Sequence, residues 1–171
     1  EARQKLDWRA FEYLMKAVNM EASGLHKRYL WKGHIVRAVD GSKITLPRTK
    51  EIIESFPLRK NHEKEEHYPL ATLVTATNVL SGQPFTARLT HKNSSEREQL
   101  LSMVEEFKRG DICLLDRGLG GFKIFELMEE KKQYFVCRSK VSGKTIAGYI
   151  KKFLHSHKND EVIKLENLKV R

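Results

Sequence analysis

The chain has 171 residues, enough for one domain with its own hydrophobic core, and its 40% hydrophobic and 32% charged residues are ordinary for a globular protein. No apolar run approaches the roughly 20 residues needed to cross a bilayer, and no signal-peptide pattern opens the chain, so a membrane partner is not expected. The net charge is +10, with a pI near 9.6. An excess of that size points to a polyanionic partner, most often nucleic acid, or to a basic protein kept soluble by its charge; it says nothing about chemistry.

The sequence opens on Glu1 and not on Met, so its ends are not expected to be natural domain boundaries. From Lys5 to Ala22 the apolar residues Leu6, Ala10, Phe11, Leu14, Met15 and Val18 share one face of a helix, which Ser23-Gly24 ends. The basic, aromatic segment His26 to Lys32 reads as a linker or an early nucleic-acid contact, and Trp8 and Trp31 read as packing residues. Ile35 to Leu46 alternates as a strand does, with Pro47 as its stop. Thr49 is placed to cap a short helix from Lys50 to Ser55, and the charged run Asn61 to His67 reads as an exposed, mobile loop.

Leu70 to Val79 and Phe85 to Thr90 form a hairpin about the turn Leu80 to Pro84. Ser94 and Ser95 with Glu98 have the spacing of a capping box, before a helix that puts Leu100, Leu101, Val104 and Phe107 on one face and stops at Gly110. Ile112 to Leu115 is a short apolar run, as in a strand buried on both faces. Glycines 118, 120 and 121 precede a further helix over Phe122 to Met128, and Tyr134 to Cys137 reads as a second buried strand. Cys113 and Cys137 lie within these runs as core residues, and His155-x-His157 reads as solvated. Thr145 to Leu154 is a candidate helix, and Val162 to Val170 alternates like a strand. The fold class is α/β: helix-linked strands from Ser95 to Cys137 imply parallel neighbours, the hairpin adds antiparallel ones, and the result is a mixed sheet flanked by helices.

Two carboxylates stand out. Asp116 closes an apolar strand, where open α/β sheets bind ligands; it could equally cap the next helix or pair with Arg117. Asp40 lies mid-way along its extended segment, although Asp40-Gly41 is also a hairpin-turn signal. On neighbouring strands the two could hold a pair of Mg²⁺ or Mn²⁺ ions, hard cations that prefer oxygen ligands, for displacement at a phosphodiester. The basic surplus would then hold the phosphate backbone.

The succession Val39-Asp40-Gly41-Ser42, Leu114-Leu115-Asp116-Arg117-Gly118 and Tyr134 to Lys140 resembles the DDE transposases of the bacterial insertion-sequence-four type, from about Gly33 to Lys140. The separations are 76 residues (116 − 40) and 22 residues (138 − 116). The resemblance implies an RNase H-like core over 33–140, after an N-terminal helix and linker in 1–32 and before the start of a β-rich insertion in 141–171. It implies Asp40 and Asp116 as two of three catalytic, metal-binding carboxylates, with two Mg²⁺ or Mn²⁺ ions in the complete site. It also implies transposon-end and target DNA as partners, a dimer on DNA, and a cytoplasmic, nucleoid-associated setting. Arg138 and Lys140, in the Arg-Ser-Lys sequence, would contact DNA. Arg117 and Lys123 join them as candidate DNA contacts, each with a local ion pair or plain solvation as its alternative.

The third carboxylate, a Glu on a later helix, has no counterpart at the family's spacing. Glu126, Glu129 and Glu130 come too soon after Asp116, and Glu161 and Glu166 fall where the insertion begins. It is therefore expected beyond residue 171, and the stretch in hand is expected to bind metal weakly and cleave little. A non-catalytic DNA-binding module derived from a transposase, or another RNase H-like nuclease, are the alternatives.

Overall fold

A computed structural model describes residues 7–23, 28–58, 67–91, 94–139 and 146–162. In chain order its elements are α1 (Trp8–Ser23), β1 (Val36–Thr45), α2 (Lys50–Ser55), β2 (Leu70–Asn78), β3 (Pro84–His91), α3 (Glu96–Val104), β4 (Ile112–Leu115), α4 (Phe122–Glu130), β5 (Tyr134–Cys137) and α5 (Ile146–His155). The five strands form one sheet in the order β3-β2-β1-β4-β5. β1, β2 and β3 pair antiparallel, whereas β1, β4 and β5 are parallel. An antiparallel meander continued by two parallel strands is the RNase H-like arrangement that the resemblance implied.

The local reasons for these elements are mostly those in the sequence. Thr49 caps α2, its hydroxyl accepting from the Ile52 N–H. The β2–β3 turn places Gly82 at φ +69, a conformation that a glycine adopts without strain. Ser95 is the N-cap of α3, but its side chain makes no capping bond, so the Ser95 side of the expected capping box is not formed. α3 ends at Val104, and Phe107 reaches the core from the turn that follows. Gln133 closes that end, donating to the carbonyls of Val104 and Phe107.

One face of the sheet carries the core. Val39, Val74, Ala76, Cys113 and Leu115 pack there against Leu100, Met103 and Val104 of α3 and Ile124 and Met128 of α4. Cys113 is fully buried, which pushes its thiol up to about 12 and makes it an inert packing group. At the lower end of this face Arg37 donates to Asp111 at 2.7 Å, with both residues 3% exposed. The Arg37 guanidinium also lies 3.7 Å from the centre of the Phe85 ring.

Three expectations need correction. β5 is at the edge of the described sheet and is not buried on both faces: Tyr134 and Val136 are 59% and 61% exposed. Phe11, Leu14 and Val18 of α1 are also more than half exposed, because the helix meets the sheet mainly at β3, where Asn19 donates to the Phe85 carbonyl. Trp31 does not enter the core; it pairs with His34 in a tight turn and is exposed beneath the Lys32 ammonium. The helix expected before Leu154 is α5, and His155 and His157 are exposed as expected. The strand expected from Val162 to Val170 lies, after Val162, outside the described residues.

Candidate active site

The turn reading of Asp40-Gly41 is overturned. Both residues sit inside the continuous strand β1, with Asp40 facing Thr75 and Gly41 facing Val74 on β2. Asp40 is therefore held by a central strand with hydrogen-bonded neighbours on both sides.

The parallel ladder brings the candidate residues together. Val39 faces Leu115 on β4, and Leu115 faces Cys137 on β5. The next residue along each chain is Asp40, Asp116 and Arg138. The Arg138 N–H donates to the Leu115 carbonyl at 3.3 Å, which carries the β4–β5 ladder one step further. Asp40, Asp116 and Arg138 thus stand side by side where β4 and β5 end and β1 runs on to Thr45, about 4.8 Å apart from one strand to the next, and all three are exposed. By strand alternation they belong to the face that also carries Ala38, Leu114 and Val136, opposite the helices α3 and α4.

A tight turn after β4 fixes Asp116. The Leu119 N–H donates to the Asp116 carbonyl at 3.0 Å, and Leu119 itself is buried in the core. Arg97, at the start of α3, donates from Nε to the Gly118 carbonyl at 2.8 Å. Cys137 Sγ lies against the same turn, 3.8 Å from the Asp116 carbonyl oxygen. Burial pushes the Cys137 thiol up, the Asp116 charge adds to this and the Arg97 charge opposes it. A Cβ on Gly120 would come within 2.6 Å of that sulfur. Gly120→Ala is therefore expected to cost about 1–3 kcal/mol by overpacking. Adding Cys137→Ala should recover most of the loss in urea-unfolding measurements.

Arg117, the chain neighbour of Asp116, and Lys123, on the first turn of α4, are both exposed. Among the described residues Arg117 and Asp116 form no ion pair, so the self-pairing alternative is not realised. Lys140 and Glu166 lie outside the described residues. His91 stacks on Phe56, while Lys92 and Asn93 are also outside them. The residues that the sequence did not single out are Glu96 and Arg97, at the start of α3. A Cβ on Gly41 would meet the Glu96 side chain at 2.6 Å, so Glu96 is laid over the β1 backbone beside Asp40.

The donor chemistry suits a hard cation. Two exposed carboxylates side by side are oxygen ligands of the kind Mg²⁺ and Mn²⁺ take, with water and substrate oxygens completing the shell. Among the described residues no group of three or more His, Cys, Asp or Glu side chains is placed to hold a metal ion. Glu126, Glu129 and Glu130 lie on α4 and Glu161 follows α5.

Among solved structures, the chain is similar to the piggyBac transposase synaptic complex with hairpin DNA at 9% identity and TM-score 0.48, covering 68% of this chain and 25% of that one. It is also similar to the Mos1 transposase paired-end complex with left transposon end at 11% identity and TM-score 0.39, covering 91% and 57%. The chain thus spans between about a quarter and somewhat over half of these proteins. No curated protein sequence matches it. Residues 31–170, which include Asp40, Asp116 and Arg138, match the family described as transposase DDE domain, and the chain belongs to that family.

Proposed function

We propose that this chain supplies the front part of the catalytic domain of a cut-and-paste DNA transposase of the insertion-sequence-four type. Its core over 33–140 would follow a helix and linker in 1–32 and lead into an insertion from 141. The observation that carries this reading is the row of Asp40, Asp116 and Arg138 across three adjacent strands.

Asp40 and Asp116 would hold divalent metal, Mg²⁺ or Mn²⁺. When bound, such ions activate an attacking oxygen and stabilise a leaving one in displacement at phosphorus. The chain's own residues orient the substrate. Arg138, next to Asp116, offers a planar guanidinium to a phosphodiester oxygen, a geometry that favours bidentate contact. Arg117 and Lys123, both exposed, and Lys140, by its place in the sequence, would add positive charge for the same backbone. The +10 net charge supports a polyanionic backbone as the partner. Transposon ends and target DNA would be the substrates, engaged by a dimer on paired ends in the cytoplasm, at the nucleoid.

The third carboxylate would come from a helix beyond residue 171. The sheet face on which Asp40 and Asp116 stand has room for it near β5, where Val136 and Tyr134 are exposed. On its own, residues 1–171 would then cleave little.

The test uses the intact transposase and DNA carrying the ends of its own element. Mg²⁺-dependent nicks at those ends are expected. Binding without any nick would replace this reading by a non-catalytic DNA-binding module, and cutting without preference for the ends by a general RNase H-like nuclease.

A further inference from the structure

The first turn of α3 touches both segments that carry the aspartates. Arg97 Nε donates to the Gly118 carbonyl at 2.8 Å, inside the turn that begins at Asp116. The other arm of its guanidinium approaches Gly121, with one terminal nitrogen 4.0 Å from where a Cβ on that glycine would lie. The preceding residue, Glu96, lays its side chain over Gly41, the neighbour of Asp40 on β1. Two consecutive residues of one helix therefore reach one to the β1 backbone and the other to the loop after β4. That helix is anchored behind them by Leu100, Met103 and Val104, all fully buried in the core.

We propose that Arg97, seated by this turn, is a positioning residue: it holds the 116–121 turn against α3 and so sets Asp116 beside Asp40. This rests on the reading of the two aspartates as a metal-holding pair. The physical need is clear from the chain. Asp116 lies one residue past the end of β4, so the ladder that fixes Asp40 no longer fixes it fully. Its turn contains Gly118, Gly120 and Gly121, the residues with the most backbone freedom to lose. Within the turn the Leu119 N–H donates to the Asp116 carbonyl. From outside it, the Cys137 thiol lies 3.8 Å from that same carbonyl, the Ile124 and Phe125 N–H groups of α4 donate to the Gly121 carbonyl, and Arg97 supplies the hydrogen bond from α3 to the middle of the turn. A guanidinium suits this role because its planar, rigid donors fix the carbonyl's position. Arg97 forms no ion pair among the described residues, so its charge is not committed elsewhere.

The test has two readouts on the 171-residue chain: amide hydrogen exchange at Leu119, and the affinity for Mn²⁺ alone. Arg97→Ala is expected to speed exchange at Leu119 about fivefold, the worth of one hydrogen bond. It should weaken Mn²⁺ binding about tenfold, as outer-shell losses do. Its thermal midpoint should move by no more than about 3 °C. Arg97→Lys, which keeps the charge and one donor, should recover part of both losses. The sign is decisive, because removing a nearby positive charge would by itself tighten a cation. Unchanged exchange at Leu119, or tighter Mn²⁺ binding in Arg97→Ala, overturns the proposal. Asp40→Asn and Asp116→Asn serve as the reference for the underlying reading. If Mn²⁺ binding ignores both, the metal assignment fails, while exchange at Leu119 still decides whether Arg97 holds the turn.

Discussion

Asp111→Ala is expected to destabilise the protein by about 3–5 kcal/mol, because it leaves the buried Arg37 charge without its counter-ion. Arg37 has no route to water: it is 3% exposed, donates to Asp111 Oδ2 at 2.7 Å and lies over the rings of Phe85 and Phe107. Asp111 does a second job, its Oδ2 also accepting the Lys108 N–H at 3.0 Å, so alanine removes two bonds together. A double substitution, Arg37→Met with Asp111→Leu, should recover most of the loss, since an apolar pair of similar volume removes the stranded charge. Urea unfolding followed by circular dichroism measures both. A cost below about 1 kcal/mol for Asp111→Ala would show that Arg37 finds solvent by another path. The pair also bears on the site. It joins the lower ends of β1 and β4, and the register it helps to set carries Asp40 to the side of Asp116. A slip of one residue would turn one of the two aspartates to the opposite face of the sheet.

Much of this was legible in the sequence because it was written in local signals. Period-two runs marked β1, β2 and β3, Thr49 marked α2, and the apolar tetrads marked β4 and β5. The juxtaposition of the three candidates was legible too: the separations between Asp40, Asp116 and Arg138 are the offsets of the β1–β4 and β4–β5 ladders. What stayed hidden depended on tertiary placement. An Asp-Gly pair is locally a turn signal, and it is the antiparallel pairing with β2, unbroken from Arg37 to Thr45, that keeps the chain extended there. The apolar run Tyr134 to Cys137 could not reveal that it ends the described sheet and exposes every second side chain. Arg37 looked like any surface arginine on an alternating strand; its burial required Asp111, 74 residues away. Glu96 and Arg97 carried no signal beyond two charges at a helix start, because their partners are a glycine backbone and a carbonyl, which leave no mark in a sequence.

On the proposed function, Asp40→Asn and Asp116→Asn in the intact protein are each expected to lower end cleavage by about 10³-fold or more. Metal-held charge stabilisation is worth several kcal/mol in such displacements, and about 4 kcal/mol corresponds to that factor. Asparagine keeps the volume and one oxygen but removes the charge that a hard dication requires. Stability should move the other way, if at all. The two carboxylates stand next to each other, Asp40 on β1 and Asp116 one residue past β4, with no cationic partner among the described ion pairs. Removing one relieves a like-charge contact, so each variant should unfold within about 0.5 kcal/mol of the parent, on the stabilising side. Gain or parity in stability together with loss of cleavage marks residues kept for chemistry at the expense of the fold. Large destabilisation would instead assign the aspartates a structural role. Arg138→Ala separates the next position in the row: it should weaken DNA binding and flatten its salt dependence by about one phosphate contact, leaving Mn²⁺ affinity no weaker than in the parent. If Arg138→Ala lost metal as the aspartate variants do, the row would be a single structural unit and not a metal pair flanked by a phosphate contact.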